Sequence, residues 1–375
     1  MSVDFLPPAG LPADVLRFWR QQIRAQDEGN VLTRSPEWFE MMTGNDAARG
    51  GVAVLRAGDG APRAIAPLLF RDWPLRFSVG SRSLAERGLR AAKICGGDFI
   101  DRTLDSAEVL FLLDALTAKY SHLDAFWFDH LLSAERLATL AAAAERRFFV
   151  HPLFQDIPHY KLRIPATEAE FKLLRSPDSV KKIQGRERAL ARAAGEVRLV
   201  ELRSEAEWQP YEQRMVELMN ETWQARLLGH GFSMDELRPV GARGWLRVFL
   251  LLAGEQMAAV AICYEGMETL VYEKIGYAQA HSKHSPGTLL LYRILEKARA
   301  DGLRFIDFGE GEAEYKRQLA NLTLRVAGCL VVRKSISLRT LFLLNSGWRK
   351  AIAAAGAIAK RTGWTKRLKS GAKKS

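Results

Sequence analysis

The stretch METLVYEKIGYAQAHSKHSPGTLLLYRILEKARADGLRFIDFG, Met267 to Gly309, decides the fold. It opens with METLVYEKIGYA, a run rich in β-branched and aromatic residues that reads as a strand. Ser285 then suits a helix N-cap, Pro286 the first helical position, and Asp301-Gly302 the helix end. LRFIDFG, 303–309, is a further strand. Strand, helix, strand is a crossover unit, and it places a helix on a mixed sheet. The first turn of this helix carries no Asp or Glu, although the positive end of a helix dipole normally attracts one. The first acid is Glu296, and the approach holds His281, Lys283 and His284. The chain does not supply its own anion there, so a bound one is expected.

Working outward, VFLLLAG (248–254) and MAAVAICY (257–264) are two strands across a tight turn at Gly254-Glu255-Gln256, and another strand lies near LRVAGCLVVRK. Upstream, SEAEWQPYEQRMVELMNETWQARL has a long helical pattern with Leu218 and Met219 on its apolar side. The first half repeats the rhythm. GVAVLRAGDGAPRAIAPLLF is strand, turn at Gly58-Asp59-Gly60, strand; SAEVLFLLDALTAKYSHLDAFWFDHL matches the helix–strand spacing of the second half, with Leu123 opposite Leu303. The halves differ at the helix start. GGDFIDRTLDSAEV places Asp98, Asp101, Asp105 and Glu108 where they satisfy the helix end internally and repel a phosphate. An anionic ligand therefore belongs to the second half. The GGDF at 96–99 lacks the flanks of a cyclase motif. A capping box at Thr167-x-x-Glu170 opens the connector, and the basic run Lys181, Lys182, Arg186, Arg188, Arg192 reads as a solvated helix face or a hold for an acidic acceptor.

At 375 residues, 48% hydrophobic and 26% charged, the chain is long enough for two ordinary domains and too apolar to be disordered. Cys95, Cys263 and Cys329 lie far apart and match neither a disulfide framework nor a metal motif; they read as buried, reduced thiols of a cytoplasmic protein. The start MSVDFLPPAGLP has no signal-peptide pattern, and no apolar run is long enough to cross a bilayer. The net charge of +12 is unevenly placed: from Lys316 onward there are 15 Lys or Arg and no acid, while residues 1–315 hold 40 bases against 43 acids. That distribution argues against a nucleic-acid-binding coat and for a basic tail docking on anionic lipid or phosphate. SLRTLFLLNSGWRKAIAAAGAIAKRTGWTKRLKSGAKKS, with Trp348 and Trp364, reads either as a helix in a membrane interface or as a final helix packed on the domain.

Ser285-Pro286-Gly287, Asp307-Phe308-Gly309 and Tyr315-Lys316 together resemble the GNAT superfamily of acyltransferases. The pattern is most similar to its bacterial branch linked to cellulose and exopolysaccharide synthesis, which is related to the Fem-type transferases. The resemblance covers about 175–335 well and the first half only by plan. It implies an acyl-CoA lying in a V between two parting parallel strands, here 268–277 and 303–309, with its pyrophosphate on the helix start formed by His284, Ser285, Gly287 and Thr288. Free N–H groups and the helix dipole suit that anion, and Gly287 lets it approach.

Acyl transfer to an amine needs a base for the attacking group and a proton for the departing thiolate. Asp307 is one candidate base, its pKa expected to rise beside Phe305; alternatively it caps the following turn. Glu273 is the other, or it pairs with Lys274 or with a cross-strand partner. Tyr315 either protonates the thiolate or packs. Lys316 either steadies a phosphate or acceptor carboxylate or is solvated. Trp223 and Arg226, with His230, lie near the expected acceptor mouth, where Trp223 stacks on a sugar or joins the core. His281 and His284 lack a third ligand, so no metal is expected.

The expected architecture is α/β (α+β), with two GNAT-like lobes in tandem, each a mixed twisted sheet flanked by helices. Residues 1–164 form a degenerate lobe, 165–338 the acyltransferase lobe, and 339–375 a basic helix and tail. The expected function is transfer of an acetyl or longer acyl group from acyl-CoA to an amine or hydroxyl on a sugar, glycolipid or polysaccharide precursor at the inner membrane face. Two alternatives stand beside it: a Fem-type transferase using aminoacyl-tRNA, and a non-catalytic scaffold of a synthesis complex.

Overall fold

A computed structural model describes the whole chain except residues 26–31, 81, 102, 133, 145–146, 175–176, 222–231 and 362–375. The first half supplies strands β1 (Ser2–Leu6), β2 (Gly50–Arg56), β3 (Pro62–Val79), β4 (Arg82–Ile94), β5 (Ile100–Asp101), β6 (Ala125–Leu131) and β7 (Phe148–Arg163). The second supplies β8 (Val197–Leu202), β9 (Leu246–Ala253), β10 (Gln256–Gly266), β11 (Thr269–Tyr277), β12 (Phe305–Glu310) and β13 (Leu322–Arg333). All pair in one sheet, ordered β1-β2-β3-β4-β6-β13-β7-β12-β11-β10-β9-β8, with β5 beside β3. The mixed α/β architecture expected from the patterning is present.

The two halves share a plan. Each begins with an antiparallel meander, crosses over through a helix (Ser106–Lys119 or Pro286–Ala300), and returns to a parallel strand. The parallel contact is short in both: Ala91 to Lys93 against Ala125 to Trp127 on β4–β6, and Thr269 to Val271 against Phe305 to Asp307 on β11–β12. What spacing along the chain does not reveal is an exchange of the next strand. β7 follows β6 in sequence yet pairs with β12, while β13 follows β12 yet pairs with β6; β7 and β13 then pair with each other. Two half-sheets thus become one, and side chains of the first half line the second half's parallel strand.

Packing follows the expected apolar faces. Leu289, Leu290, Leu291, Ile294, Leu295 and Ala298 of the crossover helix bury against β9–β12, each worth about 1.5–3 kcal/mol for a large aliphatic chain. Met215, Leu218 and Met219 cover the other face of the sheet. Their helix is shorter than the pattern suggests. Glu205–Trp208, a 3-10 turn at Gln209–Tyr211 and Glu212–Asn220 follow one another, because Pro210 has no N–H to continue a helical ladder. The β3–β4 hairpin is also longer than expected, and its far end receives the C-terminal helix Ile336–Arg361. Phe342 is buried there, Asn345 Nδ2 donates to Arg76 O (2.9 Å) and Trp348 Nε1 to Ser78 O (3.1 Å). Leu343 and Leu344 on its outer face are 71% and 62% exposed. None of the described helices is long and apolar enough to cross a membrane. The three cysteines are buried and unpaired.

Candidate active site

The contrast at the two helix starts is physical. Asp105 caps the 106–119 helix through the Glu108 N–H, and Glu108 returns the bond in a capping box. The 286–300 helix has no acid in its first turn and no side-chain cap; Ser285 sits at its N-cap in the left-handed region (φ 53°) without its hydroxyl accepting a helix N–H. Ser285 caps by position only, which corrects the expectation of a side-chain cap. Its carbonyl accepts from Thr288 and Leu289. Gly287 faces β11: a Cβ there would lie 3.2 Å from Ile275 Cδ1 and 3.6 Å from Tyr277 Cδ1. His284, one residue before the cap, has an Nε2 that is buried and unpartnered. Burial, then Lys283 and His281, push this imidazole below its ordinary pKa, so at neutral pH it is uncharged.

β11 and β12 part just after Val271 and Asp307, where their pairing ends. Both strands are irregular at that point. On β11 the register with β10 jumps from Lys274 to Tyr272, leaving Glu273 as a bulge residue; on β12 Phe308 is skipped in the pairing with β7. A bulge at the opening of a V re-aims a side chain and releases backbone groups from the ladder. The cleft so formed encloses about 750 Å³ and is lined by Tyr272, Glu273, Ile275, Tyr277, Phe308, Tyr315 and Lys316, among others. Ile275 and Tyr277, which line the cleft, also face Gly287, so the uncapped helix start stands behind these two side chains without itself lining the cleft. The rings of Tyr272, Phe308 and Tyr315 form one edge-to-face cluster with centroids 6.1–6.3 Å apart. Burial raises the pKa of Tyr315 and raises that of Tyr272 strongly, and the Tyr272 hydroxyl is buried without a partner. Both phenols are protonated at neutral pH.

The two carboxylates behave oppositely. Asp307 is fully buried. Its Oδ1 lies 2.7 Å from His159 Nε2 and accepts from the Gly309 N–H (2.8 Å), and its Oδ2 lies 3.1 Å from Lys161 Nζ. Burial alone would raise its pKa; the His159 hydrogen bond and electrostatic pull, the Lys161 ammonium and the Gly309 N–H outweigh it and hold the carboxyl well below the carboxylate range. The expectation of a raised pKa beside Phe305 is therefore corrected, because β7 brings a lysine and a histidine against it. Glu273 has the raised pKa instead. Dense surrounding protein is the main cause, with Lys274 opposing and Asp307 assisting. Its side chain still opens onto the cleft and takes up solvent there. The expected pair with Lys274 is not formed; Lys274 Nζ lies over the Phe232 ring at 5.1 Å.

Lys316 is spent on structure. Its Nζ donates to Glu310 O (2.6 Å) and Gly309 O (3.3 Å), pinning the backbone where β12 leaves the sheet, and burial lowers its pKa. Trp223, Arg226 and His230 lie outside the described residues.

A second cavity of about 420 Å³ lies between the halves and was not foreseen. It shares Val271, Glu273, Gly309 and Glu310 with the cleft, so the two join at Glu273. Its far wall comes from the first half, including Arg34, Arg71, Lys93, His130 and His159. The GGDF segment shapes it: Gly96 and Gly97 have φ +76° and +85°, and a Cβ on either would overlap Arg34 or His130. His130 Nδ1 lies 2.8 Å from Glu310 Oε1, and the His130 and His159 rings meet edge to face at 4.8 Å. No local pattern links residues 130, 159 and 310, so only the strand exchange reveals this group.

Residues 178–317 match the family model described as an acetyltransferase (GNAT) domain. Among solved structures, FemX matches with a TM-score of 0.61 at 12% identity, covering 91% of this chain and 99% of that one. A tandem GNAT protein from the clavulanic acid biosynthesis pathway, solved without AcCoA, matches with a TM-score of 0.51 at 12% identity over 89% and 100%. A conserved protein of unknown function from Bacteroides thetaiotaomicron VPI-5482 gives 0.50 at 12% identity over 88% and 100%. At such identities the likeness is one of fold. No curated protein sequence matches the chain.

Proposed function

We propose that the chain is an acyltransferase that takes an acyl group from acyl-CoA in the β11–β12 cleft and passes it to an amine or hydroxyl entering from the cavity between the halves. The observation that carries this reading is the 286–300 helix start, bare of acid and side-chain cap, packed behind Ile275 and Tyr277 of a cleft that opens where two parallel strands part. The site fits a pyrophosphate by its helix dipole and a pantetheine arm by its parting strands. Acyl-CoA supplies the activated thioester. The chain's own residues do the rest. Ser285, Gly287 and Thr288 offer the helix start, with His284 as an uncharged polar neighbour. Glu273, at the junction of cleft and cavity, takes the proton of the attacking group, and its raised pKa brings it closer to that task. Tyr315, protonated and lining the cleft, gives a proton to the thiolate. Asp307 and Lys316 are positioning residues: one fixes β7 to β12, the other fixes the β12 exit.

The finer reading assigns the acceptor to a sugar, glycolipid or exopolysaccharide precursor, with residues 1–164 as acceptor-side lobe, 165–338 as acyl-CoA lobe and 339–375 as a contact to an anionic membrane surface. A basic helix with Leu343 and Leu344 outermost supports the last point. The same cationic excess favours a second reading, transfer of an aminoacyl group from tRNA. Thermal shift with CoA, acetyl-CoA and aminoacyl-tRNA separates the two. A shift with CoA that disappears in Gly287→Leu supports the first; a salt-sensitive shift with tRNA alone supports the second. Silence with all three overturns both and leaves a scaffold.

A further inference from the structure

We propose a site for a borderline divalent transition metal of the Zn²⁺ or Co²⁺ class, held by His130, His159 and Glu310 at the seam between the halves. The ligand atoms of these three residues lie within 4.8 Å of one another. Each imidazole has one nitrogen engaged with a carboxylate: His159 Nε2 with Asp307 at 2.7 Å, His130 Nδ1 with Glu310 at 2.8 Å. The opposite nitrogens, His159 Nδ1 and His130 Nε2, are buried and have no hydrogen-bond partner. His159 is only 4% exposed.

A buried imidazole nitrogen without a partner is costly, and water does not reach these two. In His159 the Asp307 carboxylate fixes the Nε2 side and leaves Nδ1 as a lone pair, the arrangement by which proteins orient histidines on a metal; in His130 the ligand atom is Nδ1, 2.8 Å from Glu310 Oε1, so that both can meet one ion. Two nitrogens and one carboxylate are a donor set suited to zinc and its neighbours rather than to magnesium or calcium. The electrostatics permit a cation. Four carboxylates and three cationic side chains line the cavity; Lys93 pairs with Asp129 at 2.5 Å and Lys161 with Asp307 at 3.1 Å, which leaves Glu273 and Glu310 opposite Arg34 and Arg71. The ligands stand on β6, β7 and β12, so an ion there would stitch the exchanged strands together and turn its remaining coordination positions toward the cavity.

The test uses untagged full-length protein, dialysed against a chelator and titrated with Co²⁺, then Zn²⁺. The expected result is one Co²⁺ per chain with visible d–d bands, displaced by Zn²⁺, and a rise in Tm on loading. Glu310→Gln lowers the Co²⁺ stoichiometry and the band intensity at a fixed Co²⁺ concentration, His130→Ala abolishes the bands, and His281→Ala with His284→Ala leaves the Co²⁺ stoichiometry and the bands as in the wild type. Absence of stoichiometric binding by the wild-type chain overturns the proposal, whatever the variants do. So does binding that survives both His130→Ala and Glu310→Gln but is lost with His281 and His284. Because the readouts are metal content, colour and Tm, the outcome does not depend on the acyl-transfer reading.

Discussion

Replacing Asp307 by Asn tests whether the anion at the end of β12 is a positioning charge. Asn retains an oxygen for the His159 ring and the Gly309 N–H but removes the charge opposite Lys161. Lys161 is 1% exposed, and Asp307 is its ion-pair partner at 3.1 Å. Leaving one member of a buried pair alone costs about 3–5 kcal/mol. At about 2.1 cal/mol/K of unfolding entropy per residue, a 375-residue chain carries about 0.8 kcal/mol/K, so Tm should fall by about 4–6 °C. Adding Lys161→Met removes the stranded ammonium and should recover about 1–3 kcal/mol of the loss. The pH dependence has a definite sign. The folded pKa of Asp307 is depressed, so its contribution is complete above the unfolded value of about 3.9 and is lost as pH falls through the folded one. The gap in Tm between wild type and Asp307→Asn should therefore be constant near neutrality and shrink below about pH 4. Scanning calorimetry across pH reads all three effects. A Tm within about 1 °C of wild type, or a double variant no more stable than Asp307→Asn, would refute the reasoning.

Thr288→Asp places an acid in the bare first turn; it should raise stability by about 0.3–1 kcal/mol while abolishing the thermal shift with CoA, and a retained shift would place the pyrophosphate elsewhere. Glu273→Gln should lower kcat by about 10²–10⁴ without losing the CoA shift. In the wild type the rate should decline as pH falls through a pKa above the ordinary 4.5 of a glutamate, and the variant should lack that acidic limb in a pH–rate profile. Leu343→Glu with Leu344→Glu should leave Tm nearly unchanged, both side chains being exposed, yet reduce pelleting with phosphatidylglycerol vesicles; equal pelleting would remove the membrane contact.

Much of the second half was legible along the chain. The strands near 248–254, 257–264 and 303–309 and the helix after Ser285 stand close to their expected places, because each is written in a local period and bounded by Gly, Pro or a cap. The capping box at Asp105 and Glu108 was equally local, and so was the absence of one at Ser285. Glu273 was legible as a mid-strand acid but not as a bulge residue, since a bulge is a relation between strands.

The sequence by itself determined the two repeated strand–helix–strand units, their apolar faces and the helix start that carries no acid, all of which depend on residues within a few turns of one another. Only the tertiary structure decided which strand stands beside β12. That exchange carries His159 and Lys161 to Asp307, reverses the direction of its pKa shift, and brings His130 within reach of Glu310 across 180 positions of chain. The physical reason is that pairing between strands is fixed by sheet edges seeking partners, and no spacing or composition along one strand records which edge it meets.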